Sequence, residues 1–360
     1  MEQSGWIAKA ASIERAMGSY IDKGQVNGDL LIAKDGEAVL RMTCGWADRL
    51  RQRKLTADTM FNVASVGKTI TAAAVLLLVQ RGRLALDETI GRWFPDLPYK
   101  GVTVRHLLSH TSGIPNYIPF VRRGKLGPME LTEPQLGNAE LLDRIVQAQP
   151  EGDFAPGTGS NYSNTGYLLL AMLIERVTGR SFHDYLDSEI LRPFGFSRLT
   201  ECRHSDRVER IPDFAVGYYI GENGQPELPY RSPDMAFVYC LDTVQGDGNF
   251  HSSAPELLRW DRLLKTEKLL SRPILEEAYR PVRLPDGTRA ENGLCWFVSE
   301  SRDYGVKAEH SGYWPGYSAE FVRYLDADVT VIFMSNEERE GSYIYRKQMM
   351  QEIENICFAS

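Results

Sequence analysis

The sequence predicts an α+β protein in which an antiparallel sheet, built from both chain ends and flanked by helices, encloses a mainly helical lobe inserted between. Three observations carry this expectation. Apolar runs of strand character stand near both ends, the residues between them repeat at helical spacing, and no internal repeat or low-complexity segment divides the chain. A chain of 360 residues can bury a large core. The expectation is therefore one domain over 12–352, with a sheet lobe of roughly 1–62 plus 250–360 and a helical lobe of roughly 63–249.

The first element is an amphipathic helix over 7–22, where Ile7, Ala10, Ile13, Met17, Tyr20 and Ile21 recur at helical spacing. Leu30–Ala33 and Ala38–Leu40 then flank Asp35-Gly36, a dipeptide that supplies the positive φ angles of a tight hairpin. After Gly45-Trp46-Ala47-Asp48 the polar stretch to Asp58 reads as loop. It leads into a helix that begins at Ser65, is apolar through Val79 and ends at Gly82. A short helix starts at Thr103 or Val104 and carries His106 to Gly113. Residues 114–137, with Pro115, Pro119, Pro128 and Pro134, read as a long irregular loop, the kind that lines a site as often as it decorates a surface. Helices are expected over 138–148, 165–178 and 182–191, the last two divided by Gly179 and a Ser181 cap. Residues 203–249 read as irregular apart from a strand at Ala215–Ile220. Ser253-Ala254-Pro255-Glu256 starts a helix with serine as cap and proline just inside. Strands return at Leu294–Val298, Ala319–Tyr324 and Val329–Met334, and a last helix carries Ile344, Met349, Met350, Ile353 and Ile356.

Composition narrows the function classes. A hydrophobic fraction of 43% with 25% charged residues is that of an ordinary globular protein, and a net charge of −7 disfavours nucleic acid, whose phosphates call for a basic face. The short basic cluster Arg122-Arg123-Gly124-Lys125 reads as a solvated loop. No apolar run reaches the roughly 18 residues of a membrane span, and the N-terminus lacks the basic start and apolar middle of a signal peptide. Cys44, Cys202, Cys240, Cys295 and Cys357 are odd in number, widely spaced and without a Cys-x-x-Cys pair, which predicts reduced, mostly buried thiols and a cytoplasmic protein. His106 and His110 stand four residues apart with no carboxylate between them, a pattern better explained by packing and capping than by zinc. No metal or cofactor is expected, and the sequence does not indicate an oligomeric state.

The chemistry is concentrated where the apolar helix begins. Ser65 and Lys68 are three residues apart and so share a helical face, with Ala, Val and Leu left to bury the rest. A serine hydroxyl needs a partner to take its proton, and a lysine serves only if burial or another cation lowers its pKa. The Ser65 amide lies at a helix N-terminus, where positive partial charge suits a developing oxyanion. Ser-x-x-Lys arises about once by chance in a chain of this length, and alone it fits a helix cap with a solvated lysine equally well. Two further patterns, each present once, supply what it lacks. Tyr162-Ser163-Asn164 ends a polar, glycine-containing loop that runs straight into an apolar helix; its bland reading is a packed tyrosine with Asn164 as the cap. His310-Ser311-Gly312 lies beside the C-terminal strands, where the glycine permits close backbone approach and the Tyr313 amide offers a second oxyanion donor; its bland reading is a bulge with an exposed histidine.

Ser-x-x-Lys, Tyr-x-Asn and His-x-Gly in this order resemble the serine β-lactamase and penicillin-binding-protein superfamily, most of all class C β-lactamases, D-alanyl-D-alanine carboxypeptidases, D-aminopeptidases and related carboxylesterases. The likeness also covers Asp58–Phe61, Leu107–Gly113, Leu168–Gly179, Pro193–Phe196, Gly246-Asp247-Gly248 with Ser252-Ser253, and Met334–Asn336, so that it spans about residues 12–350. It implies that Ser65 is the acylated nucleophile, that Lys68 assists proton transfer, and that Tyr162 is the general base toward Ser65 and then toward water. It further implies that Asn164 holds Lys68 and a substrate carbonyl, and that the Ser65 and Tyr313 amides form the oxyanion hole. His310, with Ser311 and Gly312, would line the substrate and orient Tyr162 or an acidic group. The histidine replaces the lysine usual in class C enzymes, and a neutral imidazole holds a carboxylate less firmly than a permanent ammonium, so weak β-lactam hydrolysis is expected. The resemblance thus implies a serine hydrolase acting through an acyl-enzyme on a small-molecule ester, amide or peptide, with small esters or D-amino-acid peptides ahead of β-lactams. The alternatives are an acyltransferase using the same intermediate and a non-catalytic binder or scaffold of the same fold.

Overall fold

The structure is a computed structural model that describes residues 2–126, 136–201, 211, 213–231, 235 and 237–359. Pro128, Pro134, Cys202 and part of the irregular stretch 203–249 lie outside these residues. The main sheet takes β1 (Gly28–Lys34) and β2 (Glu37–Cys44) from one end of the chain and β10 (Phe297–Ser301), β11 (Gly305–Trp314), β12 (Tyr317–Tyr324) and β13 (Val329–Ser335) from the other, in the order β10-β11-β12-β13-β1-β2. All neighbours in it are antiparallel. The remaining strands are short. β3 (Trp46–Asp48) pairs with β4 (Arg53–Lys54), β5 (Phe61–Asn62) and β6 (Leu199–Glu201) flank β9 (Phe250–Ser252), and β7 (Tyr218–Ile220) lies between β8 (Pro226–Glu227) and β14 (Glu337–Glu338).

The helices are α1 (Glu2–Asp22), α2 (Lys68–Gln80), α3 (Val104–Leu108), α4 (Tyr117–Arg122), α5 (Asn138–Ala148), α6 (Asn164–Thr178), α7 (Phe182–Leu186), α8 (Phe237–Cys240), α9 (Ala254–Leu264), α10 (Arg272–Ala278) and α11 (Ser342–Phe358). The sheet is covered on both faces, which is why its central strands read as continuous apolar runs. Leu30 and Ile32 of β1 pack with Ile13 and Met17 of α1 and Met349 and Ile353 of α11. Leu31 and Ala33, one residue out of phase, join the larger core built by α2, α6 and α9.

Most elements fall where the sequence puts them, and the departures have local causes. Asp35 and Gly36 take φ angles of 53° and 76°, the turn required by the β1–β2 hairpin. The polar stretch before Asp58 is not all loop, since Arg53–Lys54 pairs back onto Trp46–Asp48. The proline-rich stretch after 114 contains α4, capped by the Asn116 side chain; Pro119 sits in its first turn, where a missing N–H costs nothing. The strand expected at 215–220 shortens to 218–220, and α8 interrupts the irregular region. Helix 182–191 gives way to a π-turn over Asp187–Leu191. Ser253 occupies the N-cap position of α9, but its hydroxyl makes no capping bond. The strand expected at 294–298 starts instead at Phe297, because Cys295 turns the backbone through a φ of 84° and the apolar run before it packs into the core.

Candidate active site

Ser65 lies in a single 3-10 turn, Ala64–Gly67, that feeds directly into α2. The turn is held from several sides. The Ala64 N–H donates to the Asn62 side-chain oxygen at 2.8 Å, the Val63 N–H donates to the Phe250 carbonyl at 2.9 Å, and Ala64 adopts a φ of 45°, uncommon for a residue with a side chain. Two glycines let neighbouring segments approach. A Cβ on Gly312 would lie 2.2 Å from the Val63 carbonyl oxygen, and one on Gly67 would lie 2.2 Å from the Phe250 ring. Strand β11 therefore passes directly beside the turn that carries the serine.

Lys68 opens α2 and is fully buried. Its ammonium donates to Ser65 Oγ at 3.1 Å, to Asn164 Oδ1 at 2.7 Å and to the Asp247 carbonyl. Burial lowers its pKa to about 8, against an opposing pull from Asp247 and Cys295. The neutral amine is thus within reach near neutral pH, as the reading of Ser-x-x-Lys requires. Asn164 is the first residue of α6 rather than its cap, and its amide nitrogen donates to Asn116 Oδ1 at 3.3 Å. The Asp247 carboxylate accepts from the Tyr117 hydroxyl at 2.7 Å, and burial raises its pKa.

The Tyr162 ring lies 5.1 Å from Lys68 Nζ and 4.4 Å from the His110 ring. Burial raises its pKa, and Ser65 is the neighbour that favours the phenolate, although the hydroxyl makes no hydrogen bond of normal geometry among the described residues. At rest Tyr162 is a neutral phenol. His310 is buried rather than exposed, and its Nδ1 meets the Ser311 carbonyl at 2.8 Å. Burial lowers its pKa to about 3, with Lys68 acting in the same direction, so it stands neutral beside the site.

Strand β11 is paired with β12 from Lys307 to Trp314 but with β10 only from Gly305 to Glu309. Among the described residues the half next to Ser65 therefore has an open edge. A two-residue turn, Pro315-Gly316, joins Trp314 to Tyr317, which makes that pair hydrogen-bonded; by alternation Tyr313 and Ser311 turn their N–H and C=O groups toward the open edge. A cavity of about 520 Å³, lined by Ser65, Tyr162, Asn164, Phe297, His310 and Trp314, opens here. Tyr313 and Trp314, the bulky residues after the glycine, do form part of its wall.

Three positioning residues escape sequence reasoning. His110 accepts from the Ser163 N–H at 3.2 Å and its carbonyl accepts from Asn161 N–H at 3.0 Å, so it carries the loop that presents Tyr162. His106 instead completes the capping box of α3 with Thr103. Tyr117 and Asp247 support Lys68 from behind; the only sequence signal was the Gly246-Asp247-Gly248 segment. Among the described residues Cys44, Cys295 and Cys357 are free thiols.

A serine beside a desolvated lysine and a buried phenol, set between a sheet edge and a helical lobe, defines a serine hydrolase of the β-lactamase type. The chain belongs to the β-lactamase family, whose model matches residues 13–353. It is 34% identical over 94% of its length to a penicillin-binding protein of Bacillus subtilis (strain 168), of which it covers 73%. It is 33% identical over 65% of its length to esterase EstB of Burkholderia gladioli, covering 61% of that protein. Among solved structures, the D-amino acid amidase of Ochrobactrum anthropi complexed with D-phenylalanine superposes with a TM-score of 0.77 at 25% identity, covering 97% of this chain and 99% of the other.

Proposed function

We propose that Ser65 is acylated by a small ester or a D-amino-acid amide or peptide and that water then releases the acid. The observation that carries the reading is the Lys68 amine, 3.1 Å from Ser65 Oγ and brought by burial to a pKa of about 8. In the first step neutral Lys68 takes the Ser65 proton as Oγ attacks the carbonyl carbon. Tyr162, protonated at rest, passes a proton to the departing alkoxide or amine and is reprotonated from Lys68. The Ser65 and Tyr313 amides receive the oxyanion, with each donor worth about 3 kcal/mol in the transition state. In the second step neutral Lys68, relayed through the Tyr162 hydroxyl, takes the proton of the attacking water and returns it to Ser65 Oγ as the acyl–oxygen bond breaks and the acid leaves. Asn164, 2.7 Å from Lys68 Nζ, keeps the Lys68 amine aligned between the two steps.

Neutral His310 supports only weak turnover of β-lactams, whose carboxylate it meets without charge. The free thiols support a reducing compartment such as the cytoplasm. The test is turnover of p-nitrophenyl acetate, D-Ala-p-nitroanilide and nitrocefin by wild type and Ser65→Ala, with mass spectrometry of the trapped adduct. Ester or D-amino-amide turnover well above nitrocefin, lost in Ser65→Ala, with acyl mass on the peptide containing residue 65, is the expected result. Equal rates in the two proteins and no adduct would remove the hydrolase reading. Partition of product toward an added alcohol would move it to acyl transfer.

A further inference from the structure

The basic cluster that reads as a solvated loop contributes one member to the cavity. Arg122, in the last turn of α4, lines the same space as Ser65, Tyr162 and His310. Its guanidinium carbon lies 5.2 Å from the centroid of the Phe237 ring, within the range of a cation–π contact that steadies the side chain. Among the described residues no carboxylate pairs with Arg122, and no Asp or Glu lines this cavity. Lys68 is spent on Ser65, Asn164 and a backbone carbonyl. Arg122 is therefore the one permanent cation of the described cavity wall left without an anion. The rest of that wall is apolar or aromatic, including Ile118, Met235, Phe237, Phe297 and Trp314.

We propose that Arg122 reads an anionic group on the substrate, and that the preferred substrates are esters or amides whose apolar acyl or leaving portion ends in a carboxylate. The proposal rests on the hydrolase reading of Ser65 and adds a substrate class to it. It moves recognition of the substrate's acidic group from His310, which is neutral, to Arg122 of α4. A guanidinium offers a carboxylate two parallel N–H donors, which a neutral imidazole does not. Arg122 is exposed, so the attraction is screened by salt.

The experiment compares kcat/KM for 4-nitrophenyl butyrate with that for the mono-4-nitrophenyl esters of succinate, glutarate and adipate, at low and high salt, in wild type, Arg122→Gln, Arg122→Lys and Arg123→Gln. Arg123, exposed and absent from the cavity wall, is the control for net charge. The expected result is a preference of at least about tenfold for the best carboxylate ester over butyrate, weaker at high salt, reduced to near one in Arg122→Gln, partly kept in Arg122→Lys and unchanged in Arg123→Gln. Binding of the same esters to Ser65→Ala and to Ser65→Ala with Arg122→Gln, followed by calorimetry, reads the preference without turnover. Serine-dependent turnover with no preference for the carboxylate, or the same preference in Arg122→Gln, would overturn the proposal. Absence of serine-dependent turnover of every ester would count instead against the hydrolase reading, while the calorimetric comparison still decides the role of Arg122.

Discussion

Lys68 Nζ lies 3.1 Å from Ser65 Oγ at the end of a side chain that is wholly shut off from water. The one-turn offset along the helix start brings the two together, and the packing of α2 against α6 supplies the desolvation. Local geometry and core burial thus act on the same amine. The first places it beside the proposed nucleophile, and the second lowers its pKa toward that of a usable base.

Lys68→Met tests both effects. The rate of ester turnover is expected to fall by about a thousandfold, and the rising limb of the wild-type pH profile, with an apparent pKa near 8, is expected to vanish. The stability consequence has a definite sign. Because burial depresses the amine, the folded chain binds fewer protons than the unfolded chain between about 8 and the ordinary lysine value of 10.5, so this residue makes stability rise with pH across that window. Urea melts at pH 7 and pH 10 should show that rise in wild type and a smaller one in Lys68→Met. A flat rate profile in wild type would remove Lys68 as the base.

His110 and His310 should be silent to pH where most histidines titrate. Burial depresses both, His310 to about 3, and the Lys68 charge adds to the effect. His183 behaves in the opposite way, since its contact with Glu201 raises its pKa. Its stabilising contribution is present below the ordinary histidine value and is lost as pH rises through the raised one. Histidine ring resonances followed by NMR from pH 5 to 8 should move for His183 and stay fixed for the two site histidines. Titration of His310 near 6.5 would show a wetter site and would reopen it as an anion reader.

How far the sequence could reach depended on the range of the interaction. The β1–β2 hairpin was legible because Asp35-Gly36 settles it alone, and α5 because its periodicity needs no partner. Ser65, Lys68, Tyr162 and His310 were legible as three short patterns, and the structure brings the four residues together. The strand at 294–298 was misplaced because an apolar run looks alike in a ladder and in a core, and only the turn at Cys295 tells them apart. His110 read as a packing residue and Arg122 as part of a solvated loop, since their places at the cavity exist only once the elements around it converge.

The buried pair Arg323–Asp261 should show a strongly unequal response to its own mutations. It joins β12 to α9 at 2.6 Å with both side chains almost fully excluded from solvent. Asp261→Ala leaves a buried guanidinium with little to balance it and is expected to cost about 3–5 kcal/mol, whereas replacing both residues by Met and Leu is expected to recover most of the loss. Chemical denaturation of the single and double variants measures this, and additive losses would show that the pair is not coupled.

Gly312→Ala carries the most direct test of how the site is assembled. The new Cβ would meet the Val63 carbonyl oxygen at 2.2 Å, which no rotamer relieves, so either β11 or the turn carrying Ser65 must move. A stability loss of about 1–3 kcal/mol is expected from the overpacking. The larger effect should be on rate, because a shift of even 1 Å separates the Tyr313 amide from the Ser65 amide across the oxyanion position. The variant should therefore lose kcat while binding of a non-reacting ester by the same chain changes much less. Full kcat in a folded Gly312→Ala protein would mean that the contact between strand and turn does not set the geometry of the oxyanion site.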